Sequence, residues 1–174
     1  MLITKKDDGF MLVWRWLKRS LFFILVGIVT IWLDFSLPNG RIVHVVGTDV
    51  KRMSKTVDGK ELTRDVYFVS ADNISDGQTY VYRNEDAWLY LFKVNSADIQ
   101  GRAHSLVQSQ DKTPALLRYY GYRLQLFSVF PNILTLEAVD GGHQYVPYLR
   151  YLAFTLWGFV SFFVGFRWRH LIFD

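Results

Sequence analysis

A chain of 174 residues is the size of one ordinary domain plus a little, which argues against a multidomain enzyme. Apolar residues make up 51%, aromatics 17% and charged residues only 21%, too oily for disorder and high for a water-soluble domain of this length. There is no cysteine, which removes disulfide frameworks, thiolate metal sites, iron–sulfur clusters and cysteine nucleophiles together.

Residues 1–19 form a basic, aromatic segment in which Trp14 and Trp16 stand beside Arg15, Lys18 and Arg19, a pairing suited to the headgroup level of a membrane. From Ser20 to Leu33 no residue is charged. With Asp34 to Leu37 the run covers residues 20–37 before Pro38 ends any helix, roughly 27 Å at 1.5 Å per residue and long enough to span a bilayer. No small-x-small pair follows Leu33, so the pattern predicts an uncleaved anchor rather than a signal peptide.

Residues 38–147 read as short strands with one helix. Arg41 to Val50 and Arg64 to Ser70 are rich in β-branched and aromatic residues on either side of Asp58-Gly59, and Thr79 to Arg83 follows the turn cluster Asp72 to Gly77. Ser96 is placed to cap a helix from Ala97 to Ser109, with Ile99, Ala103, Leu106 and Val107 as its apolar stripe. Leu117 to Phe130 reads as one long strand with Tyr120, Tyr122, Leu124 and Leu126 on one face, and Ile133 to Val139 as the last strand. Residues 148–166 form a second apolar run that holds Arg150 near its start, and residues 167–174 a basic tail. The expected fold class is a membrane α+β protein: two transmembrane helices flanking a small, mostly antiparallel β domain with one helix.

The net charge of +4 does not point to nucleic acid, because residues 38–148 carry 12 basic and 12 acidic side chains. The excess lies at Lys5, Lys6, Arg15, Lys18, Arg19, Arg167 and Arg169, outside the two apolar runs on their terminal sides. That asymmetry predicts cytoplasmic termini and a central domain on the opposite face, held near the bilayer by short junctions.

Chemistry is sparse. His44, His104, His143 and His170 have no ligand spacing, so neither a metal nor another cofactor is expected. The Asp72 to Gly77 segment starts like a calcium loop, but Ile74 fills a ligand position and Arg83 stands where the bidentate acid belongs. Glu85 and Asp86 are adjacent, and neighbours on a strand face opposite ways. Lys51, Arg52, Lys55, Lys60 and Arg64 alternate with Asp49, Asp58, Glu61 and Asp65, a solvated mixed-charge hairpin. Tyr80, Tyr82, Trp88, Tyr90 and Tyr119 form a candidate partner surface, against the plainer reading that they pack in the core. Within the apolar runs, Gly27, Thr30 and Asp34 share one helical face and Arg150, Gly158, Ser161 and Gly165 another. In an antiparallel hairpin the small residues would permit close contact and Asp34 would meet Arg150 in an ion pair.

Several segments together carry a resemblance: Val45-Val46-Gly47-Thr48 with Val50-Lys51-Arg52, Arg64-Asp65-Val66, Val81 to Asp86, Phe92-Lys93 with Ser96 to Gln100, Tyr120-Gly121-Tyr122-Arg123 and Phe127 to Asn132. Over nearly its whole length the chain resembles an uncharacterised family of small bacterial membrane proteins known only as a domain of unknown function. The resemblance implies a bacterial inner-membrane location with a periplasmic central domain, and no activity. The functional expectation is a non-enzymatic protein whose periplasmic domain binds or covers another envelope protein, or a second copy of itself. The alternative is a membrane-proximal hydrolase or transferase using Glu85, Asp86 or His104.

Overall fold

The computed structural model describes the backbone of residues 4–57, 60–87, 90, 93–109 and 111–169, and the side chains of these apart from residues 4–11, 55–57 and 60–62. Two compact units result: residues up to Ser36 together with those from Tyr148 onward, and Leu37–Pro147.

The first unit contains two long helices, α1 (Thr4–Ser36) and α3 (Tyr148–Arg167). Leu12–Ser36 and Tyr148–Arg167 are each long and apolar enough to cross a membrane, and almost none of either stretch is buried. Their Leu, Ile, Phe and Trp side chains point outward, the reverse of a core helix in a water-soluble fold. α1 runs unbroken through the basic, aromatic segment and stops at Ser36, two residues before Pro38, where the proline's restriction on its predecessor ends the helix.

The second unit is a closed barrel of five strands, β1 (Asn39–Val57), β2 (Lys60–Asn73), β3 (Thr79–Asn84), β4 (Ala115–Tyr120) and β5 (Asn132–Ala138), in the order β1-β2-β3-β5-β4. Helix α2 (Ser96–Gln108) lies between β3 and β4. This connectivity is that of an OB-type Greek-key barrel. Closure has two sources. β1 serves two partners, giving Asn39 to Val43 to β4 and Val43 to Val57 to β2, with an irregularity between Val45 and Gly47 that bends the strand. The parallel junction of β3 with β5 holds one backbone pair, Arg83 with Asn132, and the Asn132 side chain extends it by accepting from the Glu85 N–H and donating to the Glu85 carbonyl, both at 3.0 Å. Inside lie Val43, Val69, Tyr82, Leu117, Ile133 and Leu136, against which α2 sets Ile99 and Ala103.

The α+β class and the mostly antiparallel sheet are as expected, and the sheet is rolled shut into a barrel. The long strand expected over Leu117 to Phe130 stops at Tyr120. Gly121 takes φ +86°, a left-handed conformation that ends the extended run, and residues 121–131 form a loop holding a 3-10 turn at Gln125–Phe127. Ser96 is not the cap of α2 but its first residue; Asp86 Oδ1, ten positions upstream, accepts from the Ser96 N–H at 2.9 Å.

Candidate functional site: an arginine–tyrosine cleft

Strand alternation sends Arg41 to the same side of β1 as the core residues Val43 and Val45, and Tyr80 to the same side of β3 as buried Tyr82. Both stand at the mouth of the barrel. There the Arg41 guanidinium lies 3.9 Å over the Tyr80 ring and 5.5 Å from that of Tyr119, and its Nη1 donates to the Tyr82 hydroxyl at 3.3 Å. Such stacking suits a planar, weakly hydrated cation. Tyr80 donates its hydroxyl to Asp76 Oδ2 at 3.0 Å, which raises the phenol's pKa, and the Gln78 backbone N–H keeps the Asp76 carboxyl below the usual range. Burial pushes the Tyr82 phenol up to about 12. Gly121, Tyr122, Arg123 and Pro131 complete a cleft of about 460 Å³. Its walls are the β2–β3 turn and the β4–β5 loop, the latter stiffened by Arg123, which donates to the Val129 carbonyl at 2.9 Å and covers the Phe130 ring at 3.9 Å.

The tyrosines singled out from sequence therefore divide. Tyr80, Tyr82 and Tyr119 all line the cleft, but Tyr82 and Tyr119 also belong to the barrel core and present little surface to it, because β3 and β4 both turn that face inward. Tyr90 stacks on Tyr120 at 3.7 Å, and Trp88 lies outside the described residues. Arg41, Tyr122 and Arg123 were not legible as a group, since they come from two chain segments some 80 positions apart.

A second polar group lies within the barrel. Asn84 is fully buried; its Nδ2 donates to the Ser96 carbonyl at 2.7 Å, and its Oδ1 accepts from Lys93 Nζ at 3.1 Å. Lys93 also donates to the Glu85 carbonyl at 2.6 Å, and with 5% of its surface exposed its pKa falls to about 8, through burial. Lys93 drew notice in the sequence only through the Phe92-Lys93 resemblance. Glu85 pairs with Arg83 and, at 3.7 Å, with Arg64; Asp86 caps α2, which lowers its pKa; His104 is exposed and bonds Gln108 at 3.0 Å. None of these three lines the cleft. Among the described residues, no three His, Asp or Glu side chains are gathered to hold a metal.

A family model described as "Protein of unknown function (DUF1523)" matches residues 14–172. The chain belongs to this family. No curated protein and no solved structure matches it. The DUF1523 match takes in both long helices as well as the barrel, so the two units form one family module rather than a barrel with incidental tails.

Between α1 and α3 of this DUF1523 chain the structure sets three contacts in register. Arg150 pairs with the Asp34 carboxylate and donates to the Asp34 carbonyl at 3.2 Å. Trp157 Nε1 donates to Thr30 Oγ1 at 2.9 Å, while Thr30 donates to the Val26 carbonyl at 2.7 Å. Gly165 faces the Phe22 ring. The close helix contact expected at Gly27 and Gly158 does not occur, since a Cβ at either would meet nothing within 4 Å. The seam follows Arg150 and Trp157, which turns Gly158 about 100° away from Trp157. Ser161 Oγ is buried with no hydrogen-bond partner among the described residues, beside an apolar cleft of about 440 Å³ bounded by Phe22, Val26 and Phe166.

Proposed function

We propose that this is a bacterial inner-membrane protein, anchored by α1 and α3 with the barrel on the periplasmic side, and that the barrel is a non-enzymatic binding module whose arginine–tyrosine cleft receives a segment of another envelope protein. Two long helices with outward apolar faces support the anchoring, and the basic residues beyond both helices support cytoplasmic termini. The binding role is carried by one observation: two arginines and four tyrosines converge on one cleft of ligand-binding size. Tyrosine and arginine supply large contact area with directional donors at modest entropic cost, and they dominate binding hot spots. The β4–β5 loop that forms one wall of the cleft is among the elements through which OB barrels hold extended ligands. Lined by cationic and phenolic donors, the cleft favours a segment offering carboxylates or backbone carbonyls. Of the residues named for the hydrolase or transferase alternative, Glu85 is held in ion pairs, Asp86 caps α2, and His104 lies exposed on α2 beside Gln108, outside the cleft.

A photo-crosslinking residue placed at Tyr122 or Gln78 in native membranes tests this. The expected result is one adduct with a membrane or periplasmic protein, reduced at least tenfold by Arg41→Gln at an unchanged melting temperature. An adduct indifferent to Arg41→Gln, or none at either position, would overturn the proposal.

A further inference from the structure

The β4–β5 loop carries side chains that the barrel does not use. Leu126 is 88% exposed and Phe127 71%, with Leu124 and Val129 also exposed beside them. A water-facing loop ordinarily places polar residues at such a tip. This one is also ordered. Leu124 and Val129 exchange both backbone hydrogen bonds at 3.1 Å, Phe127 N–H donates to the Leu124 carbonyl at 3.3 Å, and Ser128 N–H to that of Gln125 at 3.1 Å, with Ser128 in the left-handed region at φ +49°. Phe130 packs edge-on against Phe68, ring centroids 5.2 Å apart, while Phe127 is left exposed. From Gly121 to Leu136 the chain holds Arg123 and no acidic residue.

What covers this tip follows from where the loop is rooted. Tyr119, at the end of β4, pairs with Asn39, the first residue of β1. Asn39 stands three residues after Ser36, the last residue of α1, a connection that cannot exceed about 11 Å. The outgoing connection leaves from the same place: Tyr145, three residues before Tyr148, lies on Gly40, and its ring is 5.8 Å from the guanidinium of Arg118. Both chain connections to the long helices therefore start beside the strand pair that carries the loop.

We infer that the β4–β5 loop is a membrane-inserting element, in which Leu126 and Phe127 enter the boundary between headgroups and acyl chains of the leaflet from which the barrel emerges. The inference rests on the reading of α1 and α3 as membrane spans. Amphipathic elements bind this way when an apolar tip is flanked by arginine and tyrosine, which settle at the headgroup level, and Arg123 and Tyr122 hold those places. Phosphate groups supply the anion that a loop with one cation and no carboxylate favours. The cleft shares Gly121, Tyr122, Arg123 and Gln125 with this loop, so lipid contact of the loop and occupation of the cleft would be coupled.

The absence of native cysteine makes the test direct. Full-length Leu126→Cys, Phe127→Cys, Phe159→Cys and Ser105→Cys, each carrying one environment-sensitive fluorophore, are reconstituted into vesicles of phosphatidylethanolamine and phosphatidylglycerol. The expected result is quenching by brominated acyl chains at positions 126, 127 and 159, and at least fivefold weaker iodide quenching there than at position 105. A label at Leu124→Cys keeps the dye from driving insertion; adding Leu126→Asp with Phe127→Asp should restore its iodide quenching. Quenching by bromolipid at position 159 with a fully iodide-accessible loop overturns the loop inference and leaves the anchoring intact. Bromolipid quenching at none of these positions overturns both. A loop label reached by neither quencher means that protein, not lipid, covers it, and also overturns the inference.

Discussion

The two units of this chain solve opposite problems with the same residue types. In the helical unit the large apolar side chains face out and the few polar ones face each other: Thr30 to Trp157, Asp34 to Arg150. In the barrel the apolar side chains face in, and the polar groups that enter the interior, Asn84, Lys93 and Asn132, are satisfied by backbone carbonyls and amides as much as by one another. On the proposed anchoring, the contrast follows from the solvent that each unit faces. Where the surrounding solvent is lipid, helix association has no hydrophobic drive of its own and depends on hydrogen bonds and packing. Where it is water, apolar burial drives folding and each internal polar group must find its bond.

If the comparison is right, the largest effects belong to the barrel core and stop there. Leu117 and Ile133 are fully buried, and truncating either to alanine should cost about 2–5 kcal/mol through lost transfer energy and the cavity left behind. In detergent-solubilised protein the barrel's near-ultraviolet circular dichroism should melt at a markedly lower temperature, while the helical signal of α1 and α3 and membrane extraction behaviour stay as they are. Loss of membrane association with Leu117→Ala would break the separation of the two units.

Lys93 sharpens the comparison from the polar side. Burial lowers its folded pKa to about 8, against 10.5 for the exposed side chain. Between those values the unfolded lysine holds a proton that the folded one has released, so stability should rise with pH across this window, by about 3 kcal/mol in all, and be flat below it. Tyr82, raised to about 12, acts in the opposite sense only above pH 10, which leaves pH 8 to 10 as the clean interval. Denaturant titrations of the chain and of Lys93→Met over that interval should diverge, the variant losing the slope. Parallel lines would mean that the amine stays charged in the folded barrel.

The helical unit makes a smaller claim. Asp34→Ala or Arg150→Ala should each lower the thermal stability of the helix pair by about 1–2 kcal/mol, because each leaves a partly buried charge without its partner. Asp34→Arg combined with Arg150→Asp should recover most of either single loss in a double-mutant cycle. Additive losses would mean that the two groups are solvated independently and that Trp157 and Thr30 carry the register.

How much of this was legible in the chain differs between the units for the same physical reason. The long helices declare themselves locally: an uncharged run, a stop at Pro38 and basic flanks need no knowledge of any other segment. Asp34 and Arg150 could be brought together on paper because helical geometry fixes depth by counting. The barrel strands were visible as elements, yet their closure was not, since it depends on one parallel pair, Arg83 with Asn132, and on a side-chain amide standing in for backbone. The same holds for the cap of α2, supplied by Asp86 from outside the helix, and for the cleft, where Arg41 meets tyrosines about 40 and 80 positions away. Period-two alternation carried the fourth strand too far, because the pattern continues past Gly121 while the backbone does not.

The smallest effect tests the place where the two units are joined. Gly40 lies under the ring of Tyr145, and a Cβ there would stand 2.8 Å from the ring, closer than side chains tolerate. The ring also lies 5.8 Å from the Arg118 guanidinium. Gly40→Ala should therefore cost about 1 kcal/mol, set by the clash less the entropy gained when glycine is removed from the unfolded chain. Tyr145→Ala in the same chain should return most of that loss, since it removes the clash while leaving the Asn39–Tyr119 pairing of β1 with β4 in place. The rescue reads out whether the incoming and outgoing connections are clamped together. If Gly40→Ala is neutral alone, Tyr145 does not hold the outgoing connection against the start of β1.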